Sequence, residues 1–275
     1  MLTAKLRLLI PHLAAITIFI TVSAIFFSPQ FSGKKLSQSD VVSYQAASQE
    51  MREYAKANGK ALLWTNAMFG GMPSYQISNG LGVYSPILKG QRWLALTIPR
   101  PAGYFLAMMI GYYLLMISMG INSWVSVIAS IAYSFATYNI VLWEAGHTNK
   151  LRSFISLPLI TAGLFYLLEK KRYLAGSAFF TFGLALNISA NHVQMTYYFL
   201  LCVLLLGAIY LVKYIREKSF LDLGKVIAIA LLGLVLAIGP SLANIWSSYE
   251  YGQETMRGKP ILSSSSGAAV ANQSR

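Results

Sequence analysis

Trp64-Thr65-Asn66-Ala67-Met68-Phe69-Gly70-Gly71-Met72-Pro73-Ser74-Tyr75 lies inside residues 29–100, the one long stretch that cannot be membrane-embedded. Outside it the chain is apolar runs joined by short polar connections. The composition is 56% hydrophobic and 11% charged, with a mean hydropathy of +0.54. Soluble domains carry about a quarter charged residues. Too few charges are present to coat a soluble surface, so the class is a polytopic membrane protein, an all-α bundle.

The net charge of +13 would suggest nucleic acid in a soluble protein. Here most cations flank apolar runs, which fits lipid headgroups and topology, not nucleic acid. The single cysteine, Cys202, sits in an apolar run, so no disulfide within the chain is possible and it packs as a small hydrophobe. Lys5 and Arg7 precede an apolar run from Leu8 to Phe27. A cleaved leader would have an apolar region of about 7–15 residues; this run is longer and reads as an uncleaved first span.

A hydrocarbon core needs about 20 apolar residues per helix. By that rule about seven spans are expected: 8–28, 102–120, 123–143, 153–168, 173–190, 194–212 and 226–246. Pro240 should kink the last. With the N-terminus inside, Lys5, Arg7, Lys170, Lys171, Arg172, Lys213, Arg216, Lys218 and Lys225 fall on the inner side. The short outer connections hold only Lys150 and Arg152, so the inside-positive bias gives N-in and C-out. Trp143 and Trp246 then mark outer ends and Trp124 an inner end.

The first outer loop, 29–101, is expected to be partly helical. Tyr44, Ala47, Met51, Tyr54 and Ala55 recur at helical spacing over Val41 to Asn58, with Ser37, Ser39 or Asp40 as candidate cap. Gly70, Gly71 and Pro73 break regular structure, and residues 83–98 read as amphipathic or interfacial. Trp64, Phe69 and Tyr75 offer aromatic surface to stack on a sugar or to pack on the loop helix. There is no internal repeat. Residues 1–262 form the membrane module and 263–275 a flexible tail, read as a truncation point.

This topology puts the polar residues on one side. The outer face receives Asp40, the Trp64–Tyr75 turn, Glu144 to Arg152, Asn187 to Gln194 and Tyr249 to Arg257. Of the 3 histidines, His147 and His192 are there and His12 is not. Each has a structural reading beside a functional one. Asp40 is a helix cap or a functional carboxylate. Glu144 and Lys150 are an exposed ion pair, worth less than about 1 kcal/mol, or site residues. Two histidines and two carboxylates can bind a divalent metal, yet they lack ligand spacing. Lys150, Arg152 and Arg257 touch lipid phosphates or hold a substrate phosphate. No P-loop, dinucleotide fingerprint, HExxH or GxSxG occurs, so any transfer draws its energy from a lipid-borne donor.

The motif order resembles a known family. Ser39-Asp40-Val41-Val42-Ser43-Tyr44-Gln45 follows the first span, then comes the Trp64–Pro73 motif and Glu144-Ala145-Gly146-His147-Thr148-Asn149-Lys150. Tyr249-Glu250-Tyr251-Gly252 and Met256-Arg257-Gly258-Lys259-Pro260 close it. This resembles the YfhO family of bacterial membrane proteins, similar in layout to GT-C glycosyltransferases, over almost the whole chain to about Leu262. The resemblance implies a longer parent protein, so that this chain is an N-terminal fragment. It also implies a site in the bacterial cytoplasmic membrane and transfer of a sugar from a polyprenyl-phosphate donor to a cell-envelope glycan or polymer. Asp40 matches the family's first-loop Asp and would be the general base. Glu144 or His147 would orient the acceptor or a metal. Lys150, Arg152 and Arg257 would hold the donor phosphate, with Trp64, Asn149 and His192 as further substrate contacts. A flippase or transporter and a non-catalytic scaffold are the competing classes.

The topology is directly testable. A reporter fused after Lys218 should behave as cytoplasmic and one after Lys259 as exported; the reverse pattern would put the polar connections in the wrong compartment.

Overall fold

The structure is a computed structural model and describes residues 2–77, 86–255 and 258. The helices are α1 (Leu2–Phe26), α2 (Ser28–Phe31), α3 (Ser39–Ala47), α4 (Gln49–Asn58), α5 (Pro86–Leu94), α6 (Ala102–Ser118) and α7 (Ser123–Ser134). They continue with α8 (Thr137–Ala145), α9 (Thr148–Leu168), α10 (Tyr173–Ala190), α11 (Val193–Arg216), α12 (Phe220–Ile238) and α13 (Leu242–Gln253). The described strand is a two-residue hairpin, β1 (Trp64–Thr65) with β2 (Met72–Pro73), and a 3-10 turn, Ser74–Gln76, follows it. The fold is the expected all-α bundle of an integral membrane protein. Leu9–Phe26, α9, α10, α11 and the α12–α13 run Phe220–Gln253 are long and apolar enough to cross a bilayer. The bent pair α7–α8 makes a sixth crossing if it is one span, and α6 is apolar but shorter, at 17 residues. The tail 263–275 and the Met256-Arg257 and Lys259-Pro260 pairs lie outside the described residues.

The core lies between α6 and α9. Phe105, Leu106, Met108 and Met109 of α6 are fully buried. They meet Ala15 and Phe19 of α1 on one side and Leu151 and Ile155 of α9 on the other. In the crossing window 72% of α9 is buried, against none of α11. So α9 is the axis and α11 presents its apolar face to the surroundings.

Small residues set the closest contact, between α9 and α10. A methyl on Gly163 would lie 2.4 Å from the Phe180 backbone nitrogen, and one on Gly183 2.8 Å from that of Ile160. Backbones that close gain dispersion contacts where hydrophobic burial gives no drive between helices. A polar link joins them. Buried Asn187 donates to Ser156 Oγ at 3.0 Å and accepts from Thr196 Oγ1 at 2.7 Å, tying α10 to α9 and α11. At the Leu168 end of α9, Glu169 accepts from Lys213 and Tyr210, and Lys171 pairs with Asp222. The Lys213 and Tyr210 bonds hold the Glu169 carboxyl below the usual carboxylate range.

Several sequence expectations shift. The span expected over 123–143 breaks after Ser134, with a 41° bend before α8. Asn139 causes it. Its amide donates to the Tyr133 and Ser134 carbonyls at 2.9 and 3.3 Å, taking acceptors that a continuing helix would use. The Glu144–Arg152 connection is not a loop: α8 runs to Ala145 and α9 begins at Thr148, which gives that span 21 residues. The helix expected over Val41 to Asn58 is α3 and α4, divided at Ser48, whose hydroxyl turns back to the Tyr44 carbonyl at 2.7 Å. None of Ser37, Ser39 or Asp40 caps it. The capping position is Gln38, without a side-chain cap bond, and Asp40 is the second helical residue. Pro240 falls in a 3-10 turn between α12 and α13, where the kink was expected. Trp143 is half-buried, edge-on to Tyr104 at 6.3 Å, and so is a packing residue.

The α9–α10 contact predicts an asymmetry among glycines. Gly163→Val should destabilise by about 1–3 kcal/mol, as overpacking does. Gly207→Val, where an added methyl meets nothing within 4 Å, should change little. Thermal unfolding in detergent decides; equal effects would mean that the α9–α10 approach does not limit stability.

Candidate functional site

The N-terminal ends of α3, α6 and α9, the C-terminal end of α10, the 3-10 turn after β2 and the start of α13 surround one large cavity of about 1270 Å³. Ordinary small-ligand pockets run to roughly 300–1,000 Å³, so this one has room for more than one small group. It lies at the opposite end of α9 from Glu169, about 30 Å away at 1.5 Å per residue.

Asp40 reaches the cavity because α3 docks on the end of α8. Gly146 ends α8 in the left-handed region, at φ +90. A methyl there would lie 3.2 Å from Asp40 Cβ and 3.3 Å from both Gln38 Cβ and Val41 Cγ2. Only a glycine gives that backbone and that proximity together. Buried Gln38 donates its amide to the Trp143 carbonyl, which fixes the start of α3. The side chain of Asp40 then meets His147, Oδ2 to Nδ1, at 2.8 Å. Of the 9 acidic residues, Asp40 is the one that lines the cavity among the described residues.

The rest of the charged lining is cationic among the described residues. Arg52, Arg92, Arg100 and Arg152 make it up, and none forms an ion pair among the described residues. Arg152 is the telling member, at 8% exposure. Its Nε donates to Gln91 Oε1 at 3.1 Å and its Nη2 to Ser189 Oγ at 3.0 Å. Both partners are neutral, so the two bonds hold the guanidinium without compensating its charge. Arg100 lies over the Tyr104 ring at 5.7 Å. Another part of the lining is neutral and polar. Tyr75 donates to the Ser247 carbonyl at 3.3 Å and Gln76 to Ser248 Oγ at 3.4 Å, and Asn191 and Asn244 are beside them on the lining.

The residues singled out in the sequence divide. Asp40, Asn149 and Arg152 line the cavity, and His147 touches it through Asp40. Glu144 is exposed and Lys150 half-exposed; neither lines the cavity, and the ion pair weighed between them does not form. His192 starts α11 and accepts from the Met195 backbone at 3.3 Å, outside the cavity. Trp64 is 52% exposed and bonds Asn66 Oδ1 at 3.2 Å, also outside. Its hairpin is held to α4 by the Thr65 hydroxyl on the Glu50 carboxylate, and Phe69 at its tip is 88% exposed. Arg257 lies outside the described residues. The four ligands weighed for a divalent metal do not assemble. Asp40 and His147 meet without Glu144 or His192, and no group of three metal-ligating side chains forms among the described residues. His12 is elsewhere, on the Tyr113 hydroxyl at 2.7 Å between α1 and α6.

Arg92, Arg100, Gln91 and Ser189 escape a sequence reading. Arg92 reads as part of the amphipathic or interfacial stretch 83–98 and Arg100 as charge flanking an apolar run, while Gln91 and Ser189 carry no motif. Comparison with protein-family models, curated proteins and solved structures finds no match.

The charge on Arg152 gives a stability test. A buried charge without a counter-charge costs several kcal/mol, so an apolar side chain of similar length relieves that cost, set against the two bonds lost by Gln91 and Ser189. Arg152→Met should therefore hold or raise the melting temperature, whereas Gln91→Leu, which strips a partner from the guanidinium, should lower stability by about 1–3 kcal/mol. Strong destabilisation by Arg152→Met would make Arg152 a structural residue.

Proposed function

We propose that this protein transfers a sugar from a polyprenyl-phosphate donor to a cell-envelope glycan or polymer, on the outer face of a bacterial cytoplasmic membrane. One observation carries the reading: a single carboxylate, Asp40, shares a cavity with unpaired arginines, one of them buried. The motif order that resembles the YfhO family supports it, with Asp40 at the position of the GT-C first-loop Asp. The topology it needs is N-in and C-out, as the inside-positive bias implies.

The chemistry follows from the groups. An acceptor hydroxyl must lose its proton as it attacks the anomeric carbon, and Asp40 can take it. The leaving group is a lipid phosphate, whose developing charge Arg152 and Arg100 can meet without rearranging. A guanidinium offers a planar fork that matches phosphate oxygens, and this one is held in place by Gln91 and Ser189. Asn149 and the neutral wall of Gln76, Asn191 and Asn244 suit sugar hydroxyls. Glu144 and Lys150 have no such support, lying away from the cavity.

A second reading has an observation behind it. Arg152 is an ionisable residue inside a span and facing a cavity, as a lipid-phosphate translocator would require. Transport needs the cation but no base, so Asp40→Asn separates the two. Proteoliposomes are supplied with polyprenyl-phosphate hexoses and envelope extract as acceptor, and released polyprenyl phosphate is measured. Asp40→Asn should lower the rate by about 10²–10⁴. Wild-type release in the variant removes Asp40 as base, and lipid flipping without release favours the translocator.

A further inference from the structure

Asp40 and His147 meet at 2.8 Å through Oδ2 and Nδ1. An ionised carboxylate only accepts, so the hydrogen between them is on Nδ1. Asp40 lines the cavity and His147 does not, so the imidazole approaches the carboxylate from outside the cavity. Stability does not account for this contact. The side chains are 51% and 40% exposed, and pairs so open to solvent add little. The docking of α3 is secured by other means, the Gln38 bond to the Trp143 carbonyl and the seat on Gly146.

We propose that His147 is a positioning residue: it holds Oδ2 of Asp40 and so turns Oδ1 toward the acceptor hydroxyl. This rests on the reading of Asp40 as the general base. In the transfer step the acceptor oxygen bonds to the anomeric carbon. The bond from that carbon to the phosphate oxygen breaks, and its electron pair leaves with the phosphate. The hydroxyl proton passes to Asp40 Oδ1. His147 keeps its own proton throughout and touches no substrate. Without it a surface carboxylate samples several rotamers, and few of them face the cavity. Asn149 and Thr148 line the cavity beside Asp40 but make no bond to it, so His147 is the orienting group among the described residues.

The test has a structural arm and a kinetic arm. In protein labelled with 15N-histidine, the His147 signal, assigned by its loss in His147→Asn, should report a proton on Nδ1. That preference should disappear in Asp40→Ala. For the kinetic arm, an Asn side-chain NH2 occupies about the place of Nδ1 and can replace its donor. With the polyprenyl-phosphate hexose that releases product in the wild type, His147→Asn should stay near the wild-type rate. His147→Leu should lose about 10–100-fold in kcat with KM unchanged, the scale of a misplaced reacting group. A neutral imidazole with its proton on Nε2 alone in the wild type, indifference of the signal to Asp40→Ala, or equal rates in the Asn and Leu variants would overturn the role. If those results appear while Asp40→Asn is inactive, only the positioning fails. A wild-type rate in Asp40→Asn overturns the base and its positioning together.

Discussion

The approach of α9 to α10 is the contact on which the rest depends. Gly163 and Gly183 let each backbone lie against the other helix, and no larger residue would. In a bilayer the apolar side chains of a helix gain little by leaving lipid for protein, so packing and polar bonds carry the association. Asn187, Ser156 and Thr196 then form a polar link between helices, each bond satisfying a group that would be costly alone in hydrocarbon. The same pairing carries Ser189, the next-to-last residue of α10, to the guanidinium of Arg152 near the start of α9. The glycine contact thus sets the geometry of the charged residue at the cavity wall.

Arg152 shows what that geometry is for. Burying a guanidinium among apolar helices costs several kcal/mol unless a counter-charge meets it. Here the partners are an amide and a hydroxyl, and no carboxylate pairs with the guanidinium among the described residues. The bundle bonds two of the five guanidinium donors and leaves the charge open. A ligand with a negative group is the natural complement, and its binding energy would be drawn in part from a cost already met in folding. Asp40 adds the one negative side chain on the lining among the described residues. A cavity lined by cations and a single carboxylate suits a substrate pair of opposite needs, an anion to be held and a hydroxyl to be deprotonated.

The all-α membrane class was legible in the sequence because apolar runs of bilayer length have few alternatives. The gathering of polar segments on one side also followed from counting lysines and arginines, and Asp40, Asn149 and Arg152 do line one cavity. What failed was local. The break after Ser134 depends on a side chain, Asn139, folding back on the helix before it, and its residues otherwise read as one apolar run. Thr148 to Arg152 looks like a polar loop by composition but is the first turns of α9, because Gly146 ends α8 and the chain restarts within two residues. The Asp40–His147 contact spans more than a hundred positions, and no spacing rule reaches that far. Glu144, two residues before that same glycine, was as plausible in sequence and is directed away.

The bend between α7 and α8 connects these points. Helix α8 has 9 residues, about 13 Å at 1.5 Å per residue. Turning it by 41° moves its far end by about 9 Å from where a straight helix would put it. That far end is Gly146, the seat of α3. A hydrogen bond between Asp40 and His147 tolerates only a few tenths of an ångström. The carboxylate is therefore placed in the cavity by a short chain of causes: Asn139 caps α7, the cap bends α8, and the bend presents a glycine small enough for Gln38, Asp40 and Val41 to rest against. The residue proposed to carry the chemistry owes its position to an amide and a glycine that carry none.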